Sequence, residues 1–125
     1  MVTAFWASFV TTLACLVGTL WTGFLGRRRP HLVLALLTVA LLTVTVLLTE
    51  ALLRAVEFPK REMTIHLGFA KTAAGLVVPV ILTGALTWFR RGWLRVHLVC
   101  VVLFVLAALV ATGTGIWVYA LATPR

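Results

Sequence analysis

Four apolar stretches, roughly 3 to 25, 32 to 53, 64 to 88 and 96 to 121, take up nearly all of the 125 residues. Each reaches the length of about 20 residues that an α-helix needs to cross a bilayer. A chain that is 62% apolar and 11% charged cannot hide that much hydrocarbon in a water-soluble core of this size. The expected fold is therefore all-α, an integral membrane bundle of four antiparallel helices. The connections GRRRPH, RAVEFPKREM and RRGWLR are short, so successive spans are neighbours and residues 1 to 125 form a single membrane domain.

Charge fixes the expected orientation. Arg27, Arg28, Arg29, Arg90, Arg91 and Arg95 fall at one set of span ends, while Arg54, Lys60, Arg61 and Arg125 share the other with Glu57 and Glu62. The positive-inside rule places the arginine-rich turns in the cytoplasm and both termini outside, in a multi-pass plasma-membrane protein. The net charge of +8 is thus topological and does not point to nucleic acid. No basic residue precedes the first span and no small-x-small cleavage site follows it, so that span is expected to be retained. Lipid is the partner the composition demands.

Two of the three histidines occupy matching places, because "RRRPH" and "RRGWLRVH" each end in a histidine that opens a span. At about 100° per residue, His31 shares a face with Thr38, Thr45 and Thr49, and His97 with Phe104, Ala108, Ala111 and Gly115. Spans two and four run in the same direction, so these imidazoles lie at one depth on helices that can stand diagonally across a bundle. Two neutral imidazoles at such a spacing suit the axial positions of haem b, an electron-transfer group with no open coordination site. Arg27, Arg28, Arg29, Arg90, Arg91 and Arg95 are the cations for its propionates. Gly84, about 18 residues past His66 on the same face, is the position expected to let a porphyrin approach the backbone.

Copper is the alternative cofactor, suggested by Cys100 three positions after His97, and His66, near the outer end of span three, is a separate candidate metal ligand. Cys15 and Cys100 differ in depth by roughly 8 Å, which excludes a disulfide between them. Small residues four apart, among them Ala14, Gly18, Thr22 and Gly26 in span one, Gly68, Ala70, Thr72 and Gly75 in span three and Ala107, Ala111 and Gly115 in span four, mark the expected helix seams. Glu50 and Lys71 lie one to two turns inside spans two and three, where charges are costly, and are expected to form an ion pair. A proton or cation site at Glu50 is the transporter reading of the same residues. Pro79 predicts a kink near Gly75. No nucleophile, base and orienting group, and no open three-ligand metal site, are legible, which disfavours a hydrolytic enzyme.

The segment "RVHLVCVVLFVLAALVATGTGIWVYAL" resembles the last helix of the small four-helix membrane proteins that include the CtaM/YozB cytochrome oxidase assembly factors, with His97, Thr114, Gly115 and Tyr119 in the corresponding places. "RRRPHLVLALL" resembles that family's second helix through His31, and "IHLGFAKTAAGLVVPVILT" its third through His66 and Pro79. The chain departs from the pattern at Leu32 and Ala35, at Leu53 and Arg54, and in a His66 to Pro79 gap one helical turn longer. The resemblance, over about positions 26 to 121, implies an accessory protein that matures a haem-copper oxidase by handling haem or metal beside it. A stand-alone b-type cytochrome and a small cation-coupled transporter are the competing classes.

Overall fold

The computed structural model describes residues 1 to 124, so Arg125, counted above among the outer cations, lies outside the described residues. The chain is helical over four long segments: α1 (Val2–Phe24), α2 (Arg28–Leu53), α3 (Lys60–Phe89) and α4 (Leu94–Ala120). All four are long and apolar enough to cross a membrane. A single 3₁₀ turn (Arg91–Trp93) leads into α4, and two short extended segments, β1 (Val56–Glu57) and β2 (Thr123–Pro124), pair as a two-stranded sheet. The helices form two compact units, one of residues 1 to 56 and one of residues 57 to 124, each a helical hairpin.

In the first hairpin the turn is set by Gly26. Its φ of +68° is the left-handed conformation that glycine adopts without steric cost. Gly26 N–H donates to Gly23 O at 3.0 Å and Arg27 N–H to Thr22 O at 2.9 Å, the pair of bonds that closes a Schellman motif. Gly26 is therefore a helix cap and does not belong to the seam in which its spacing from Thr22 put it. Helix α2 begins at Arg28, so most of the arginine run is its first turn, and Pro30 sits at the third helical position, where a missing N–H costs nothing.

Both hairpins join along faces that repeat every seven residues. On α2 the repeat is His31, Thr38, Thr45 and Leu52, and it meets Thr12 and Thr19 of α1. On α4 it is His97, Phe104, Ala111 and Val118, and on α3 His66, Ala73, Val80 and Thr87 are buried or half-buried at the same spacing, the two helices meeting at His66 with Thr114 and at Thr83 with His97. A seven-residue repeat holds a seam between two helices that wind gently about each other. The most deeply buried positions are five threonines (Thr12, Thr19, Thr38, Thr45 and Thr83) together with Leu52, Ala73 and Val118. Outward lie large apolar side chains, among them Val17, Trp21, Phe24, Leu36, Ile81, Phe89 and Leu109. Hydroxyls inside and hydrocarbon outside invert the arrangement of a water-soluble bundle.

The seam departs from the small-residue stripes read from the sequence. Ala107, Ala111 and Gly115 are half-buried and Gly18 touches Leu34, but Ala14, Gly68, Thr72 and Gly75 are exposed. A period of four drifts off the seven-residue face within two turns, and the threonines keep to it. Helix α3 is continuous through Pro79. The proline removes the backbone donor that Gly75 O would otherwise accept from, and the Thr83 hydroxyl donates to Pro79 O at 2.6 Å on the seam side.

Candidate functional site: histidines seated on threonine-glycine steps

Each of the three histidines lies in its own hairpin against a glycine of the facing helix. His31, at the start of α2, rests on Gly23; an added Cβ there would lie 3.0 Å from both Cε1 and Nδ1 of the ring. His97, at the start of α4, rests on Gly84 with Cε1 at 3.1 Å, and His66, near the start of α3, rests on Gly115 with Cε1 at 3.0 Å. All three glycines end a Thr-Gly dipeptide: Thr22-Gly23, Thr83-Gly84 and Thr114-Gly115. Within the second hairpin the arrangement is reciprocal, since the threonine stands 17 positions after the histidine on both α3 and α4. In an antiparallel pair that spacing sets each histidine beside the other helix's Thr-Gly step.

The hydrogen bonds assign the ring protons. His31 Nδ1 is 2.8 Å from Thr19 O, a carbonyl that can only accept, so Nδ1 carries the proton. His97 Nδ1 is 3.1 Å from Thr83 Oγ1, whose own proton is directed to Pro79 O. His66 Nδ1 is 3.2 Å from Thr114 Oγ1, which donates to Val110 O at 2.8 Å. Both hydroxyls therefore accept from Nδ1–H. In the neutral form every ring then carries its lone pair on Nε2, the tautomer of a histidine ligand whose second nitrogen is fixed by a neighbouring oxygen.

Below the histidine in the first hairpin, hydroxyls bridge the helices. Thr19 and Thr38 approach to 3.1 Å, Thr12 and Thr45 to 3.2 Å, and Ser8 reaches Thr45 at 2.7 Å. Thr12, Thr19, Thr38 and Thr45 also donate to the carbonyl four residues back on their own helices. The Ser8 proton is thus the one available to bridge to Thr45.

The inward faces expected for His31 and His97 agree with this geometry, as both are half-buried on the repeat that meets the partner helix. Gly84, the position expected to let a porphyrin approach the backbone, lies against the imidazole of His97 in its own hairpin. Sequence reasoning missed the acceptors, the Thr19 carbonyl and the Thr83 and Thr114 hydroxyls, although the Thr-Gly dipeptides 17 positions past His66 and His97 were a usable signal for the last two. Arg27, Arg28, Arg29, Arg90, Arg91 and Arg95 are all exposed at the starts of α2 and α4. Glu50 on α2 and Lys71 on α3 are exposed, each on its own hairpin. Cys15 and Cys100 are free thiols, half-buried on α1 and α4. Among the described residues no group of three or more His, Cys, Asp or Glu is placed to hold a metal ion. No family model, no curated protein and no solved structure matches the chain.

Proposed function

We propose that the chain is an integral membrane protein of the plasma membrane whose four spans close into one antiparallel bundle, with arginine turns in the cytoplasm and both termini outside. It binds haem b between His31 and His97 and serves as an accessory factor to a haem-copper oxidase. One observation carries the reading. His31 and His97 open the second helix of their respective hairpins, both are backed by a glycine, and in both Nδ1 is engaged by an oxygen of the preceding helix. Two equivalent half-sites suit a ligand with two equivalent axial positions, and fixed Nδ1–H protons are what an Nε2 ligand pair requires. When bound, haem supplies one-electron chemistry without an open coordination position. His31 and His97 would hold its iron, and the exposed arginines at the starts of α2 and α4 would meet the propionates.

The test is an absorption spectrum of protein expressed with supplemented haem. Reduced protein is expected to show the sharp bands of a six-coordinate b-type haem. His31→Ala and His97→Ala should each abolish or degrade them, whereas His66→Ala should leave them intact. Bands that survive loss of either His31 or His97, or protein that never takes up haem, overturn the cofactor assignment. The accessory role is tested separately in cells lacking the chain: oxidase content should fall and return with the wild-type chain but not with His97→Ala. Unchanged oxidase content refutes that role and leaves a stand-alone b-type carrier.

A further inference from the structure

We propose that the α1–α2 turn is a binding site for one anionic phospholipid, with its phosphate on Arg27, Arg28 and Arg29 and an acyl chain along α1. The inference rests on the membrane reading above and is independent of haem. Val17, Leu20, Trp21 and Phe24 line an open apolar groove of about 500 Å³ on α1. The rings of Trp21 and Phe24 stack at 6.4 Å to form one wall. Val17 and Phe24 lie seven positions apart on one face, and Val17 stands about 160° around the helix from Thr19, which faces α2. Val17, Trp21 and Phe24 are all exposed on this side of α1, which in the membrane reading is a face of the hairpin turned to lipid.

Three residues after Phe24 the arginine run begins, and the Gly26 cap reverses the chain there so tightly that groove and cations are joined by two residues, Leu25 and Gly26. Exposed apolar groove and exposed cations therefore succeed one another along the membrane normal, in the order of acyl chain and headgroup. Arginine suits the headgroup because its planar fork bonds phosphate oxygens in pairs. Two propionates cannot occupy all six cytoplasmic arginines, so the two ligands do not compete for the whole set. Each basic residue near an anionic surface contributes roughly fivefold in binding, which for three gives about a hundredfold preference over a zwitterionic lipid.

The experiment uses the full chain in neutral detergent, read by native mass spectrometry and by thermal unfolding, with phosphatidylglycerol, phosphatidylcholine and inorganic phosphate as probes. One equivalent of phosphatidylglycerol should be retained and should raise the melting temperature, with phosphatidylcholine bound far more weakly. The triple variant Arg27→Gln, Arg28→Gln, Arg29→Gln should lose this preference. Trp21→Ala with Phe24→Ala should weaken both lipids alike, and Arg90→Gln with Arg91→Gln should leave retention at the first hairpin unchanged. Equal retention of the two lipids, or a preference that survives the triple variant, overturns the site. Full displacement of the lipid by millimolar phosphate identifies a free-anion site and overturns the lipid assignment. A chain that stays monomeric and folded without any detergent would instead overturn the membrane reading itself.

Discussion

Gly23→Ala tests how firmly His31 is held. The added methyl carbon would lie 3.0 Å from Cε1 and Nδ1, and ordinary contact begins at 3.4 Å, so the ring must retreat from α1. Nδ1 bonds Thr19 O one turn away on the same helix, the carbonyl that also takes the Gly23 N–H in the α1 ladder. A retreat of about 0.4 Å stretches the 2.8 Å bond to about 3.2 Å, the outer edge of an N–H···O bond. Losing most of one interhelical hydrogen bond costs about 1 to 2 kcal/mol, and replacing glycine by alanine in a helix returns about 0.5 to 1 kcal/mol. Gly68→Ala is the reference, because a Cβ there meets nothing within 4 Å and only the helix-propensity gain remains. Gly23→Ala should therefore be about 1 to 2 kcal/mol less stable than Gly68→Ala in reversible unfolding by denaturing detergent. Equal stability of the two variants would refute the account, since it would mean that the His31 ring is free to move away at no cost.

Thr83→Val keeps the shape but removes the hydroxyl that bonds His97 Nδ1, and should cost about 1 kcal/mol, with a changed Nδ1 resonance in a nitrogen-15 histidine spectrum. Thr19→Val keeps the backbone carbonyl that serves His31, so the His31 resonance should stay put while stability falls by less than about 1 kcal/mol through loss of the Thr38 contact. Gly26→Ala meets no atom within 4 Å yet must hold φ at +68°, and should lose about 1 kcal/mol by the same unfolding assay, with Gly26→Asn losing less.

The four helices were readable from the length of their apolar runs, and α1 to α4 lie within a few residues of the stretches so identified, the starts of α2 and α3 coming four residues early. The inward faces of His31 and His97 were readable from the helical period alone. Their partners were not, because Thr83 meets His97 through the register between two helices, which tight turns and close contacts set jointly. The dipeptide alone does not mark the step: Thr112-Gly113 is the same pair of residues as Thr114-Gly115, yet a Cβ at Gly113 meets nothing and one at Gly115 meets His66. Gly26 was misread for a related reason. A small residue at a helix end serves the backbone before it serves a seam, and the sequence does not say where the end falls.

The polar contacts of each seam are satisfied within one hairpin, at sequence separations of 12 to 48 residues. During synthesis, then, the first 53 residues already hold every partner that Ser8, Thr12, Thr19, His31, Thr38 and Thr45 use. In the membrane reading proposed above, a nascent chain of this kind can leave the translocation machinery two helices at a time, each pair arriving with its seam hydroxyls already bonded. The second pair carries its own contacts in the same way, His66 with Thr114 and Thr83 with His97. Separately expressed halves of the gene, cut between the hairpins, each keep the hydrogen bonds of their own seam.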